Sequence, residues 1–523
     1  MDMNTLAFLG FFAASALLYW VMPKIAKPYL LLVLSYLFYC WKPENRSLVG
    51  LLIGVTALTW ACGLALGRAK NAVFRRLTAA LAAVGCLGVL LLFKYYDFFG
   101  SVAQSLSHGH IVPAALALSA PLGLSYFSFQ ALGYVGDVYA HRCKPIRNPL
   151  HYALFVSFFP CVITGPIEQA GKLMPQLERP PRFSYDVAAG GAFRMLWGYF
   201  KKMVLADTLA AFVRNYYSGA MLQTGPALAA AAALFSLQLY FDFSGCCDIA
   251  IGGARLFGIH LAENFDNPFL STSYAELWRR WHKSLFGWFR IHLYFPLGGS
   301  RCTTWRWVLN LMAVFVLSGL WHGAATGYIK WGFLCGVLVL AERLPVRLHR
   351  QAAPAGRHHA AAPAPARVPA MAGAAAAPAA ANAPAAEPSA AAAGRGLPAP
   401  ADFCVRWLRR IFVFAEFSLC FILFAASLYG ASGNPYAPLF SAWNGDSLTR
   451  LKTAFTAAGL SGSTLSVLLG GGALVFAVEA RGSVSEWIRR RFFLFRWALY
   501  AALALAILFF GVFGKSAFIY QQY

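Results

Sequence analysis

Acidic side chains are scarce in this chain: 20 Asp and Glu stand against 44 Lys and Arg, and charged residues of all types make up only 12% of its 523 positions. So little charge beside 59% hydrophobic residues, with a mean hydropathy of +0.57, excludes a water-soluble domain, which could not bury that much apolar surface. The 11 cysteines include no CxxC pair and only the adjacent Cys246 and Cys247, so neither a zinc knuckle nor a disulfide framework is written here. Most of them read as small core hydrophobes. GxSxG, a Walker loop, HExxH and a Gly-rich dinucleotide fingerprint are all missing, which sets aside a soluble hydrolase, an ATPase and a zinc protease. The first apolar run, 5–22, has no basic stretch before it and no small-residue cleavage pattern after it. It is read as a membrane span, not a removed signal peptide.

What is present is an all-α polytopic membrane protein. Crossing a hydrocarbon core of ~30 Å takes about 20 apolar residues. Candidate runs lie near 5–23, 28–42, 46–67, 77–98, 113–139, 150–165, 188–212, 226–243, 305–320, 325–342, 408–430, 464–480 and 493–514. Gly, Pro and charge interrupt those near 120–165 and 240–300, as in re-entrant or interfacial segments, leaving about 11 crossings.

The net charge of +24 would suggest nucleic acid in a soluble protein, but here the cations read as connector residues obeying the positive-inside bias. Lys24 and Lys27 follow the first run, Arg68, Lys70, Arg75 and Arg76 the third, and Arg142, Lys144 and Arg147 the fifth. That alternation puts the N-terminus outside the cytoplasm, and the basic run Arg481 to Arg496 before the last span puts the C-terminus outside as well. Termini on one side require an even number of crossings, so one run is miscounted or re-entrant. Residues 351–401 form a low-complexity Ala/Pro tract without aromatics, flanked by Arg343, Arg347 and Arg350 before and Arg406, Arg409 and Arg410 after. It reads as a disordered cytoplasmic linker, and its adjacent His358 and His359 read as inert, having no further ligands nearby.

His322 stands inside an apolar stretch, 308–340, bracketed by Gly319, Trp321 and Gly323. An ionisable side chain at bilayer depth costs a few kcal/mol, about 2.5 or more for a full charge, and so reads as functional. Burial favours the neutral imidazole, the form a general base needs.

The segment ELWRRWHKSLFGWFRIHLYFPLGG (276–299), taken as a helix, places Leu277, Trp278, Trp281, Leu285, Trp288 and His292 on one face and Arg279, Lys283 and Arg290 on the other. This is an interfacial amphipathic pattern, its basic stripe suited to anionic headgroups or to a phosphate-rich cytosolic donor. His282 falls at the edge of the apolar face, where it could look into a cavity. His292 reads as structural, and His141, His151 and His260 as interfacial.

A third cluster, YFDFSGCCDIAIGGARLFG (240–258), carries Asp242 and Asp248 around a Ser244–Gly245 break before an apolar helix. Ser244 or Asp248 could cap that helix or belong to an active site. Asp242, among aromatics, needs a partner, for which Arg255 and Arg280 are candidates.

Several stretches together resemble the membrane-bound O-acyltransferase family, in the bacterial branch that acetylates alginate or peptidoglycan or D-alanylates teichoic acid. They are PLGLSYFSFQALGYVGDVY (121–139), FFPCVITGPIEQ (158–169), YFDFSGCCDIAIGGARLFGIHLAENFDNPF (240–269), the 276–299 segment and SGLWHGAATGYIKWG (318–332), in family order. The resemblance implies a ring of helices around a tunnel joining the two membrane faces. It divides the chain into N-terminal helices (1–119), a catalytic core (120–344), the linker (345–405) and C-terminal helices (406–523). It implies that His322 is the general base and that His282, in RRWH, positions the donor or stabilises an oxyanion. Asp242, Ser244, Asp248, Asn264, Trp278, Arg280, Trp281 and Trp321 are the substrate or tunnel candidates.

No metal and no bound cofactor is implied. The donor is a cytosolic acyl thioester, acetyl-CoA or an acyl carrier, and the acceptor is a hydroxyl of an extracytoplasmic polysaccharide. A periplasmic acetyltransferase or polysaccharide-export proteins are the expected partners, and the bacterial inner membrane is the expected location. This chain departs from the branch in its Ala/Pro tract, in Cys246–Cys247 where a Tyr-Ser pair is usual, and in an ending, AFIYQQY, that is not Phe-rich. A transporter or channel using His322 and Asp242 as an ion or proton relay is the competing expectation. It lacks the internal repeats such folds often show: no second WHG or DFSG segment occurs.

Overall fold

A computed structural model describes residues 5–110, 112–162, 164–221, 223–352, 399–460, 462–514 and 519. Among them all regular structure is helical. Seven helices are long and apolar enough to cross a membrane: Val49–Arg68, Ala72–Leu106, Gly225–Leu256, Thr304–His322, Ala401–Tyr429, Gly462–Glu479 and Phe493–Phe510. Two shorter apolar helices, Leu6–Val21 and Lys27–Tyr39, accompany them.

Not every apolar run of the sequence becomes a single straight helix among the described residues. The run 113–139 becomes helical only at Leu124, after Pro113 and Pro121, and Asp97 instead accepts the backbone N–H groups of Leu116 (2.8 Å) and Ala117 (3.0 Å). The run 150–165 yields only Pro149–Ser157, capped by Asn148. The run 188–212 is interrupted by a π-helical turn at Phe200–Ala206.

The long helix Gly225–Leu256, about 48 Å at 1.5 Å per residue, is buried over most of its length. Thr224 caps it through the Ala227 N–H (3.4 Å), and Pro226 pre-sets its first turn. Tyr185–Tyr199 packs antiparallel to it through glycines spaced seven apart on both helices. A Cβ on Gly245 would lie 2.8 Å from the Gly198 carbonyl oxygen, and one on Gly252 2.6 Å from that of Gly191. Only glycine lets two backbones approach this closely. A similar contact joins Thr304–His322 to Thr326–Ala352, where a Cβ on Gly332 would sit 3.3 Å from the Gly319 Cα.

The Ser244–Gly245 break does not occur. Both residues lie inside the continuous 32-residue helix, so neither Ser244 nor Asp248 is a cap. Gly245 serves the close approach, not a turn. The amphipathic segment, by contrast, is not one helix: Tyr274–Arg280 ends, His282 takes a left-handed backbone (φ 44°, ψ 51°), and Lys283–Phe289 runs on into a π-helical turn, Arg290–Tyr294. Its two faces still separate as expected, with Leu277, Trp278, Trp281 and Leu285 buried and Arg279, Lys283 and Arg290 exposed.

At the tract, helix continues to Ala352 and resumes at Ala399. Arg347 holds the first of these ends to the backbone carbonyls of Ser300 (3.0 Å) and Cys302 (2.6 Å). The expected linker is therefore narrower at both ends; the rest of it, with His358 and His359, lies outside the described residues.

Candidate active site

Two helix ends bring the two singled-out histidines together. His322 is the last residue of Thr304–His322, and Gly323 follows in an extended conformation. The left-handed turn at His282 directs its imidazole inward, and the two ring centroids lie 6.3 Å apart. Both side chains are buried, His282 completely. That burial pushes the His282 imidazole down to about 3, so the ring is neutral at physiological pH.

Aromatic rings wall the pair. The Trp321 ring lies 5.8 Å from that of His282 and 5.0 Å from that of His322. Trp331 (5.2 Å) and Phe424 (5.4 Å) pack on His322, and Phe243 (4.7 Å) packs on His282. Such walls exclude water and strengthen whatever polar contacts a substrate makes inside them.

Asn264 orients His282. Its Oδ1 lies 3.2 Å from the His282 Nδ1 and accepts the Ser284 N–H at 3.1 Å, while its carbonyl accepts the Lys283 N–H at 2.9 Å. Its Nδ2 donates to the Cys247 Sγ at 3.4 Å. Cys247 and Phe243, four residues apart on the long helix, thus share the face that meets His282.

Trp278 and Trp281 form an outer layer. Trp278 packs on Trp331 (5.8 Å), and Trp281 on Phe417 (5.0 Å) and Phe265 (5.1 Å). Arg280 pairs with Glu276 at 2.6 Å, not with Asp242. The partner of Asp242 is Lys202 (2.7 Å), which also binds Asp207 (2.7 Å). Asp248 is held by Arg194 (2.8 Å) and Lys201 (2.5 Å), and Lys201 continues to Glu479 (2.8 Å). Arg194 also pairs with Glu263, and the Tyr240 hydroxyl donates to Glu479 at 2.5 Å. Asp242 and Asp248 therefore belong to two separate ionic groups, one around Lys202 and one around Arg194 and Lys201, whereas His282, His322, Trp321 and Asn264 form one cluster. Ser244 is buried on the long helix.

The expectation that Lys and Arg occupy connectors fails for Arg194, Lys201 and Lys202. Each lies within the helical stretch 185–217, and all are buried. It also fails for Lys94, in the π-helical turn Leu91–Tyr95, whose Nζ donates to the Trp321 carbonyl at 2.8 Å. The rule that singled out His322, an ionisable group inside an apolar run, marks Lys94 in VLLLFKYYDFF and Lys201–Lys202 in YFKKMVLAD equally well.

The sequence profile of the membrane-bound O-acyltransferase family matches residues 122–374, a stretch that contains both histidines, Asn264 and Trp331. Similar proteins include a probable alginate O-acetylase of Pseudomonas aeruginosa, 37% identical over 331 residues, which are 62% of this chain and 62% of that protein. A peptidoglycan O-acetyltransferase of Helicobacter pylori is 33% identical over 362 residues, 64% of this chain and 67% of its own length. The chain belongs to the membrane-bound O-acyltransferase family. Within the family the likeness extends, more faintly, to a teichoic acid D-alanyltransferase of Bacillus subtilis, 30% identical over 241 residues, 42% of this chain and 58% of that protein. The match spans 62% and 65% of the length of the Pseudomonas aeruginosa relative and of an alginate O-acetylase of Azotobacter vinelandii.

Proposed function

We propose that this chain is an O-acyltransferase of the bacterial inner membrane, moving an acyl group, acetyl by preference, from a cytosolic thioester to hydroxyls of an extracytoplasmic polysaccharide. The pairing of two buried imidazoles, 6.3 Å apart between ring centroids inside an aromatic enclosure, carries this reading in a chain of this family.

His322 acts as general base. Its neutral imidazole takes the proton of the acceptor hydroxyl as the oxygen attacks the thioester carbonyl, a contribution typically worth ~10²–10⁴-fold. The tetrahedral intermediate then expels the thiolate, which leaves with a proton as free thiol. His282, its single N–H engaged by the Asn264 Oδ1, positions the donor beside His322. A tunnel through a ring of helices would let acetyl-CoA or an acyl carrier approach from the cytosol and the acceptor from outside. The acceptor is an exopolysaccharide such as alginate, or peptidoglycan, reached directly or through a periplasmic transferase. Both termini lie outside the cytoplasm and the connector 142–147 inside. Supporting the enzyme over a transport relay, Asp242, the relay's second group, is neutralised by Lys202.

The test is ester-linked acetate released by mild base from separated exopolysaccharide and peptidoglycan of cells carrying wild type, a deletion or stably expressed His322→Ala. One fraction is expected to lose acetate in both altered strains. Unchanged acetate in every fraction would sink the acetyl-transfer reading.

A further inference from the structure

Thr304–His322 ends in the protein interior, and the carbonyls of its last turn have no donors within the helix. Buried carbonyls must be met elsewhere. Two adjacent residues of another helix meet two of them: the Tyr95 hydroxyl donates to the Leu320 carbonyl at 2.9 Å, and the Lys94 ammonium donates to the Trp321 carbonyl at 2.8 Å.

Both donors sit in the π-helical turn Leu91–Tyr95 that interrupts Ala72–Leu106. In a regular α-helix, consecutive side chains diverge by about 100°. The wider π turn re-aims residues and recurs at functional sites. Here it brings neighbouring side chains to neighbouring carbonyls. The ammonium also lies 3.4 Å from the Ser125 hydroxyl and 5.9 Å from the centre of the Trp321 ring. The amine is thus fixed to the residue directly before His322.

We propose that Lys94, assisted by Tyr95, is a positioning residue of the acyl transfer. It clamps the end of the His322 helix so that the imidazole and the Trp321 ring keep their places beside His282. The proposal rests on the reading of His322 as the base. Lys94 touches neither donor nor acceptor; it acts through the backbone it holds. Misplacing a catalytic group by about 1 Å costs on the order of 100-fold. Loss of the clamp should therefore lower turnover and leave donor affinity unchanged.

The experiment uses inverted membrane vesicles containing the full chain, given radiolabelled acetyl-CoA on the exposed cytoplasmic face, with alkali-labile label in the polysaccharide fraction as the readout. Wild type, His322→Ala, Lys94→Met, Lys94→Arg and Tyr95→Phe are compared at equal amounts of folded protein, judged by thermal unfolding in detergent. Lys94→Met is expected to lower kcat about 10- to 100-fold with KM for acetyl-CoA unchanged. Lys94→Arg, which keeps charged donors, restores most of it, and Tyr95→Phe lowers kcat by up to about tenfold. Wild-type kcat in Lys94→Met, with His322→Ala inactive, would overturn the clamp alone. So would a loss in Lys94→Met that tracks its unfolding temperature and is not rescued by Arg. No label from wild type, or full label from His322→Ala, would overturn the reading beneath it and the proposal with it.

Discussion

The Lys202 ammonium sits between the carboxylates of Asp242 and Asp207, 2.7 Å from each, and all three side chains are buried. Removing one member of such a group strands a charge and costs about 3–5 kcal/mol. Lys202→Met should be the most damaging single change, since it leaves two carboxylates facing each other. Asp242→Asn still leaves Lys202 with Asp207 and should cost less. Thermal unfolding in detergent checks the order. Acetyl transfer per folded molecule should be unaltered in Asp242→Asn; a total loss at wild-type stability would return Asp242 to the reaction.

Asn264→Ala removes the acceptor that orients the His282 Nδ1 and the Ser284 N–H. Misorientation of that imidazole should lower acetyl transfer by about 10- to 100-fold. The check is ester-linked acetate at matched membrane levels, and a rate within twofold of wild type would show that His282 does not depend on Asn264.

Where two backbones touch, a methyl group has no room. Gly245→Ala should destabilise by about 1–3 kcal/mol, because its Cβ meets the Gly198 carbonyl. Gly88→Ala, in a helix interior with open space at that position, should instead stabilise by about 0.5–1 kcal/mol. The two unfolding temperatures should move in opposite directions.

Cys404 is exposed near the start of the helix that follows the Ala/Pro tract. If that tract is cytoplasmic, a membrane-impermeant maleimide should label Cys404 in inverted vesicles and not in intact spheroplasts. Cys404→Ser should remove the label. Labelling from the periplasmic side would reverse the proposed topology.

His322 and the class of fold were legible in the sequence because an isolated polar residue in an apolar run announces itself against a uniform background, whereas His282, flanked by Arg279, Arg280 and Lys283, stood out only at the edge of an amphipathic face and through the family resemblance. Lys94 and Lys201–Lys202 carried the same signal, but the positive-inside rule absorbed them as connector charges. What no single stretch could reveal was pairing across the chain: Asp248 finds Arg194, 54 positions away, and Tyr95 reaches Leu320, 225 positions away. The Ser244–Gly245 pair misled for a physical reason. Glycine in an apolar run permits either a turn or a tight helix contact, and the choice is made by the facing helix, whose Gly198 supplies the complementary gap. The periodicity of 276–299 placed Leu277, Trp278, Trp281 and Leu285 on the buried side and Arg279, Lys283 and Arg290 on the exposed side, yet concealed the interruption, because a pattern of polarity does not register the extended backbone of Trp281 or the left-handed backbone of His282.

At that residue the backbone alone would favour glycine. A left-handed conformation costs an ordinary side chain roughly 1–2 kcal/mol, which glycine would not incur. His282→Gly should therefore relax the turn while emptying the enclosure, so backbone ease and chemistry make opposite demands on one position. Emptying a filled, fully buried site costs about 2–5 kcal/mol, more than the turn would release, so variants recovered purely for heat resistance should keep a side chain at position 282 and tolerate its strain, with Asn, which accepts a left-handed backbone, the replacement that abandons the chemistry at least cost.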